Sequence, residues 1–337
     1  MFVTVQAAGE GEVDPDERLG ELLGGFVGTQ LLYVVTELGV ADELAEGPCT
    51  IDVLAERVGA VPQVLYRFLR ALATYGVFEE DAARTFRNTA ASELLRREDG
   101  SGWRDYAIVY GSVYRAFAEA LPAARTGENM FARVHGLDWW TWLDRNPDFG
   151  ATFNRAMQAG AQGRIELISG LAWQDGETVV DVGGGNGTLV IELLQRHPQL
   201  SGVVFDLPDV AEAAAARVAG AGLSERCRVV RGSFFEAVPT GGEVYVLAKV
   251  LHDWDNDAAV RILRKVREAA PEHARLLIID SVVPAGNSPH PSKMIDLVML
   301  TLVDGRERDE GEWQQLLEAG GFLPVAIADG LIQAVPD

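Results

Sequence analysis

Gly183, Gly184, Gly185 and Gly187 follow directly on the apolar run Thr178–Val182. A β-branched run ending in such a cluster dictates a strand, a sharp turn and a helix start. Glycine lets the backbone reverse there and lets a ligand approach without a Cβ in the way. The next residues, GTLVIELLQRH, have the apolar spacing of a helix. Further on, GVVFDL, CRVVRG, EVYVLAKVL and ARLLIID read as strands, with helices at DVAEAAAARVAGAG and NDAAVRILRKVREAA. Near-continuous Val, Leu and Ile runs joined by helices predict an α/β fold, a parallel sheet covered on both faces.

The N-terminal half follows a different pattern. Residues Met1–Asp16, rich in Gly, Glu and Asp, read as a loose leader. From Arg18 to Leu38, apolar residues from Leu19 to Val35 fall at helical spacing. Gly24, Gly25 and Gly28 in that helix destabilise it unless another backbone packs closely there. Thr50 is placed to cap IDVLAERVG, Pro62 opens the next helix, and GVFEE and RTFRNT read as short strands around an acidic turn. Helix, helix and two-stranded wing make a winged-helix layout. Its second helix shows only Arg67 and Arg70, so a dimerisation or scaffold module is expected rather than a DNA reader. Residues Trp103–Trp173 read as a helical stretch rich in aromatics, mostly core, with some placed to line a pocket for a flat ligand. The expected boundaries are a winged-helix-like dimerisation domain over 1–100, a helical connector contributing to the substrate pocket over 101–175, and a Rossmann-like domain over 176–337.

Charge narrows the partners. With 29 basic against 50 acidic residues the net charge is −21, which repels phosphate backbones and anionic lipid headgroups. Neither nucleic acid nor a membrane is expected as a partner, and with no basic N-terminal flank and no uninterrupted apolar run of spanning length the expected location is cytoplasmic. Cys49 and Cys227 match no metal or redox spacing. A winged-helix regulator that senses a small molecule is the alternative from another class; the missing basic helix counts against it.

In an open parallel sheet, ligands bind beyond the carboxyl ends of the strands. Asp181 stands at the end of the first strand, and Asp206 ends the second, where an acid can hold ribose hydroxyls. The dinucleotide fingerprint G-x-G-x-x-G fails in either register, because Thr188 and Val190 occupy its last position. The pattern present is D-x-G-x-G-x-G, from Asp181 to Gly187. An acid there repels a pyrophosphate and suits the amino group of an amino-acid-like ligand. S-adenosylmethionine is therefore favoured over NAD, and an NAD-dependent oxidoreductase is the weaker alternative.

The remaining strand ends carry chemistry. LAKVLHDWDND brings His252 to the carboxyl edge of the sheet, LLIID brings Asp280, and Glu307 lies in DGRERDEGEW before the next helix. A histidine with two carboxylates in reach suits general-base work, since one acid fixes its tautomer and both stabilise the imidazolium. No His/Cys metal-ligand set is visible, and no metal is expected. The other four histidines read as surface or loop residues, with His135 alone placed to border a substrate pocket.

The segment Thr178–Phe322 resembles the small-molecule O-methyltransferases, the class that includes plant caffeate and bacterial polyketide-tailoring enzymes. The matching segments are VVDVGGGNGT, FDLP, RGSFFEAVP, LHDWDND and GRERDEGEWQQLLEAGGF, and FNRAM with the winged-helix segment extends the match over nearly the whole chain. The resemblance implies that backbone at Gly183 and Gly185 holds the methionine part of S-adenosylmethionine, and Asp206 with Leu207 the ribose. Adenine would lie against Gly232, Ser233 and Phe234, with Lys249 also on the cofactor. His252 would be the base, flanked by Asp280 and Glu307. Phe153, Asn154, Met157, Trp254 and Met299 would line the cofactor and acceptor pocket. The N-terminal domain would form a homodimer and contribute a wall of the partner's pocket. Where many relatives have Asp and Lys, this chain has Ser233 and Ala248, with Lys249 adjacent, and Asp280 replaces a commoner Glu. The expected activity is methylation of a phenolic hydroxyl on an aromatic or polyketide-like small molecule.

Overall fold

A computed structural model describes residues 14–81 and 84–337 of the chain. They divide at Gly160/Ala161 into two compact units.

In the N-terminal unit the first helix begins earlier than its apolar pattern. Asp14 accepts a hydrogen bond from the Asp16 backbone N–H at 3.0 Å, Pro15 occupies the first turn, and the helix runs Pro15–Glu37. The rest of the expected leader lies outside the described residues. Strand β1 (Cys49–Thr50) joins β2 (Phe78–Glu80) and β3 (Thr85–Asn88) in the antiparallel order β1-β3-β2. The wing thus has one strand more than its sequence predicts. Thr50 stands at the N-cap of helix Ile51–Arg57 but makes no side-chain cap bond, because the residue is held in the β1–β3 ladder. Helix Pro62–Thr74 buries Leu65, Leu69 and Leu72 and leaves Arg67 and Arg70 exposed, the stripe that its spacing predicts.

Helix Trp103–Phe117 crosses helix Pro15–Glu37 so closely that a Cβ on Gly111 would lie 2.2 Å from the Cβ of Tyr33. The same first helix leaves Leu22 and Leu23 71% and 76% exposed, with nothing within 4 Å of the Cβ positions of Gly24, Gly25 and Gly28. Among the described residues, then, none is the close backbone neighbour that those glycines call for. Among the described residues this is also the helix long and apolar enough to cross a membrane by length and composition, with mean hydropathy 1.3. Helices from Trp103 to Ala159 pack within the N-terminal unit and Ala161–Ser169 within the other, so the stretch 101–175 is split at Gly160. Its aromatic rings mostly pack on one another: Trp139 is buried edge-on to Phe131 at 5.0 Å and to Phe153 at 5.2 Å.

The C-terminal unit is built on a seven-stranded sheet in the order β6-β5-β4-β7-β8-β10-β9. Its strands are β4 (Thr178–Val182), β5 (Ser201–Asp206), β6 (Cys227–Arg231), β7 (Val244–Ala248), β8 (Arg275–Ile279), β9 (Phe322–Ala328) and β10 (Leu331–Pro336). The first five are parallel, as predicted; β10 runs antiparallel to β8 and β9. That closing hairpin is absent from the sequence reading. Edge strand β9 carries Pro324 and leaves Leu323 and Val325 exposed, so it lacks the alternating pattern that marks a strand. Side chains alternate across β4 into two cores: Val179 packs with Leu193, Val204 and Ala214, and Val180 with Tyr245, Ile262 and Trp313. Strand order reverses at β4, which has β5 on one side and β7 on the other, so the crevice for a ligand opens at its carboxyl end.

Trp313 joins this core to the sheet edge. Its ring is fully buried, and its Nε1 donates to the Ser281 carbonyl at 3.0 Å, one residue past Asp280. Trp313→Ala is expected to lower stability by about 3–5 kcal/mol. Urea unfolding checks this, through a lower midpoint at unchanged slope.

Candidate active site

Three residues of the glycine turn adopt left-handed backbone: Gly183 (φ +74°), Gly185 (φ +59°) and Gly187 (φ +78°). Gly183 also has no room for a side chain, since a Cβ would lie 2.8 Å from Cγ2 of Val250. Nothing lies within 4 Å of the Cβ position of Gly185, so that side of the turn is open. Phe205 O accepts from the Gly183 and Gly184 N–H groups at 2.8 and 3.2 Å, and Asp206 Oδ2 accepts from Gly185 N–H at 2.8 Å. The other oxygen of Asp206 accepts from Leu207 N–H at 2.7 Å. The carboxylate expected to meet the ribose is thus fixed in one rotamer by backbone donors.

Asp181 lies beneath the turn, its carboxylate 2.8 Å from where a Gly184 Cβ would be. The side chain is buried and its Oδ1 has no hydrogen-bond partner. Burial above all, and then the charge of Asp206, push it up to about 7, against the opposing pull of Arg164. An acid so placed gains from a cation bound above it. Further along the edge, a Cβ on Gly232 would lie 2.8 Å from the Phe205 ring. Ser233 Oγ accepts from Phe235 N–H at 3.2 Å. Trp254 packs edge-on to Phe235 at 4.7 Å and Phe234 at 6.0 Å. Trp254 is thus packed against Phe234 and Phe235, next to the residues expected at adenine.

Strand β7 stops at Ala248 because Lys249 takes φ +56°, a conformation rare outside glycine. The chain then turns through the 3₁₀ segment Leu251–Asp253, which carries His252. His252 Nδ1 is 2.8 Å from Glu307 Oε1 and 3.6 Å from Asp280 Oδ1, and its Nε2 is 3.5 Å from Asp253 Oδ1. His252, Asp280 and Glu307 are all buried. The short contact assigns the proton of the neutral ring to Nδ1, donated to Glu307, and leaves the Nε2 lone pair free to accept. Lys249 Nζ donates to Asp280 Oδ1 at 2.9 Å and to Ser281 Oγ at 3.1 Å, so the ammonium expected on the cofactor is engaged by an acid of the base set.

Residues 305–308 lock the histidine turn in place. A Cβ on Gly305 would lie 2.1 Å from the His252 carbonyl, which accepts from Arg306 N–H at 2.9 Å. The buried guanidinium of Arg308 donates to the carbonyls of Leu251 and Trp254, each at 2.9 Å, and to Asn256 Oδ1 at 3.1 Å. Burial pulls that guanidinium down to about 10, still charged at neutral pH. Glu307 N–H donates at 2.8 Å to Asp296 on helix Pro291–Leu302, the helix that carries Met299.

Burial disfavours the imidazolium of His252, but Asp280, Asp253 and Glu307 outweigh it and raise the ring above its ordinary value. Asp253 is pushed up to about 6 by burial, with His252 pulling the other way. Asp280 is held below the usual range despite burial, chiefly by Lys249 and then by His252. One donor atom each from His252, Asp280 and Glu307 lies within 4.8 Å of the others, a spacing that a cation can span. Nδ1 and Glu307 Oε1 already satisfy each other, and Lys249 neutralises Asp280, so the donor set is that of an acid–base group.

Sequence reasoning passed over Asp253, Lys249 as a partner of Asp280, and Arg308. Their signal is the LAKVLHDWD and GRERD segments, whose contacts arise only once the 3₁₀ turn and the loop are folded. The predicted Phe153, Asn154 and Met157 lie on helix Pro147–Ala159 of the N-terminal unit, where Met157 is 39% exposed. His135, in the same unit, stacks on Phe131 at 4.1 Å and is held below its ordinary value, chiefly by burial.

Residues 20–98 match the O-methyltransferase dimerisation domain and residues 114–323 the O-methyltransferase domain. The chain is 38% identical to a phenazine O-methyltransferase of Lysobacter antibioticus, over 97% of this chain and 98% of that one. It superposes with TM-score 0.89 on the mitomycin 7-O-methyltransferase structure, at 34% identity, over 96% of this chain and 98% of the other. An O-methyltransferase from neocarzinostatin biosynthesis, crystallised with S-adenosylmethionine and 2-hydroxy-5-methyl naphthoic acid, superposes with TM-score 0.83 at 34% identity, over 92% and 96% of the two chains. This chain, with its glycine turn, its histidine between carboxylates and its N-terminal dimerisation domain, belongs to the O-methyltransferase family.

Proposed function

We propose that this chain transfers the methyl group of S-adenosylmethionine to a hydroxyl on a flat aromatic small molecule, with His252 as general base. The observation that carries this reading is the buried 2.8 Å contact between His252 Nδ1 and Glu307, which leaves Nε2 as the accepting atom.

The turn at the end of β4 fits the methyl donor. Gly185 has open space above it, Asp206 is fixed by backbone donors, and the orphaned oxygen of Asp181 gains a counter-charge from a cationic ligand. Backbone at Gly183 and Gly185 would hold its methionine part, Asp206 and Leu207 its ribose, and the Gly232–Phe234 segment its adenine. When bound, it supplies an electrophilic methyl carbon on a sulfonium.

The chain supplies the proton acceptor and the alignment. A phenol, with pKa about 10, is little ionised at neutral pH. His252 takes its proton at Nε2 as the oxygen attacks the methyl carbon, the carbon–sulfur bond breaks, and its electron pair leaves with sulfur. Glu307 and Asp280 stabilise the imidazolium, which later loses the proton to solvent. Glu307 does the orienting, because Asp280 is the more distant acid and is held by Lys249. An amine acceptor, whose lone pair is already free, needs no such base. That difference favours oxygen as the nucleophile.

Met299, on helix Pro291–Leu302, is the residue of the C-terminal unit that we assign to the acceptor. The exposed apolar face and open glycines of helix Pro15–Glu37 support a homodimer closed through that helix, rather than a membrane span, in a cytoplasmic enzyme.

His252→Ala is expected to lower kcat about 10²–10⁴-fold while cofactor affinity stays within about twofold, by turnover and calorimetry. Undiminished turnover overturns the assigned base. Glu307→Gln is expected to lower kcat more than Asp280→Asn does. Because Asp181 must ionise to meet a cation, cofactor affinity is expected to rise from pH 6 to pH 8 through about 7. Calorimetry across that range, with Asp181→Asn flattening the trend, checks it.

A further inference from the structure

We propose that Lys249 is a positioning residue for the reaction, its ammonium holding Asp280 so that His252 is less readily protonated and has Glu307 as its one orienting acid. The inference rests on His252 acting as the base.

Three carboxylates face this imidazole from three elements: Asp253 from its own turn, Asp280 from the end of β8, and Glu307 from the 305–308 loop. A ring surrounded by three unopposed anions stays protonated, and a protonated ring accepts nothing. Lys249, from the end of β7, is the cation whose Nζ meets this set directly. The guanidinium of Arg308 is turned to the carbonyls of Leu251 and Trp254.

One oxygen decides the matter. Asp280 Oδ1 lies 2.9 Å from Lys249 Nζ and 3.6 Å from His252 Nδ1, so the ammonium has the hydrogen bond and the ring does not. Nδ1 is left to Glu307 at 2.8 Å. The pair is ionised throughout the working range: Asp280 is held below its usual value, and Lys249 is raised by Asp280 and Glu307 even though burial opposes it. Lys249 in turn opposes the three acids that raise His252.

The backbone is shaped for this contact. Lys249 holds φ +56° while its N–H donates to the Ile279 carbonyl at 3.0 Å, across to the strand that ends beside Asp280. Glycine takes that conformation without strain. A lysine there keeps the strain and gains an ammonium on Asp280.

The test is the pH dependence of kcat/KM from pH 5.5 to 9.5 for the full-length protein and for Lys249→Met, Lys249→Gly and Lys249→Arg. Lys249→Gly removes the ammonium at a position whose backbone glycine prefers, which guards against a misfolded variant. Binding of S-adenosylhomocysteine by calorimetry verifies an intact site. In Lys249→Met and Lys249→Gly the acid limb is expected to move up by about one pH unit, lowering kcat/KM about tenfold on the acid side and recovering towards pH 9. Lys249→Arg is expected to keep the limb in place. The His252 ring, followed by NMR in the S-adenosylhomocysteine complex, should titrate higher by the same amount in the first two variants. A limb that stays, moves down, or gives way to a uniform loss at every pH overturns the role of Lys249. Retention of full activity and of the same limb in His252→Ala overturns the base assignment instead, and this inference with it.

Discussion

Everything at this site follows from placing charge where water does not reach. His252, Asp280, Glu307 and Arg308 are all buried, and an unpaired ion in such a place costs several kcal/mol. The sheet makes the concentration possible. β4, β7 and β8 are parallel neighbours, so their carboxyl ends bring Asp181, Lys249 and Asp280 to one edge. Pairing then makes it tolerable: Lys249 with Asp280, His252 with Glu307, Arg308 with two carbonyls and Asn256. Remove one partner and the other is stranded. One oxygen each of Asp181, Asp280 and Glu307 is left without a hydrogen-bond partner.

The glycine turn and the segment that carries His252 are also packed on each other. Gly183 leaves just enough room for Val250, and Val250 lies between Lys249 and the turn that carries His252. A methyl group added to Gly183 would push directly on the segment that aims the imidazole. Gly305 makes the same demand from the opposite side, against the His252 carbonyl. Two missing Cβ atoms thus let the histidine segment fit between the glycine turn and the loop that carries Glu307.

The parallel sheet was legible because its buried strands and intervening helices have strong periods, and the ligand edge because glycines and acids stood at strand ends. His252, Asp280 and Glu307 were legible as neighbours on that edge. Their ranking was not. It depends on the left-handed Lys249 and the 3₁₀ turn after it, and no periodicity announces a single residue at φ +56°. The β9–β10 hairpin was missed because an edge strand with Pro324 and exposed Leu323 and Val325 has neither alternation nor a continuous apolar run. At the other end, Asp14 and Pro15 form a helix start, which acidic composition alone presents as a loose leader.

Asp280 and Lys249 make physical sense as a pair. The short side chain of Asp280 keeps its carboxylate close to the strand end, 2.9 Å from Lys249 Nζ. A longer acid would reach further towards Nδ1 and compete with Glu307 for the one proton there. Lys249 beside Ala248 supplies the cation that a withdrawn acid needs, since Asp280 is fully buried and has otherwise only Ser281 N–H, at 3.0 Å, and the distant His252. The acid and the lysine beside it therefore act as one unit. Nδ1 thus faces a hydrogen-bonded acid, Glu307 at 2.8 Å, and a neutralised one, Asp280 at 3.6 Å.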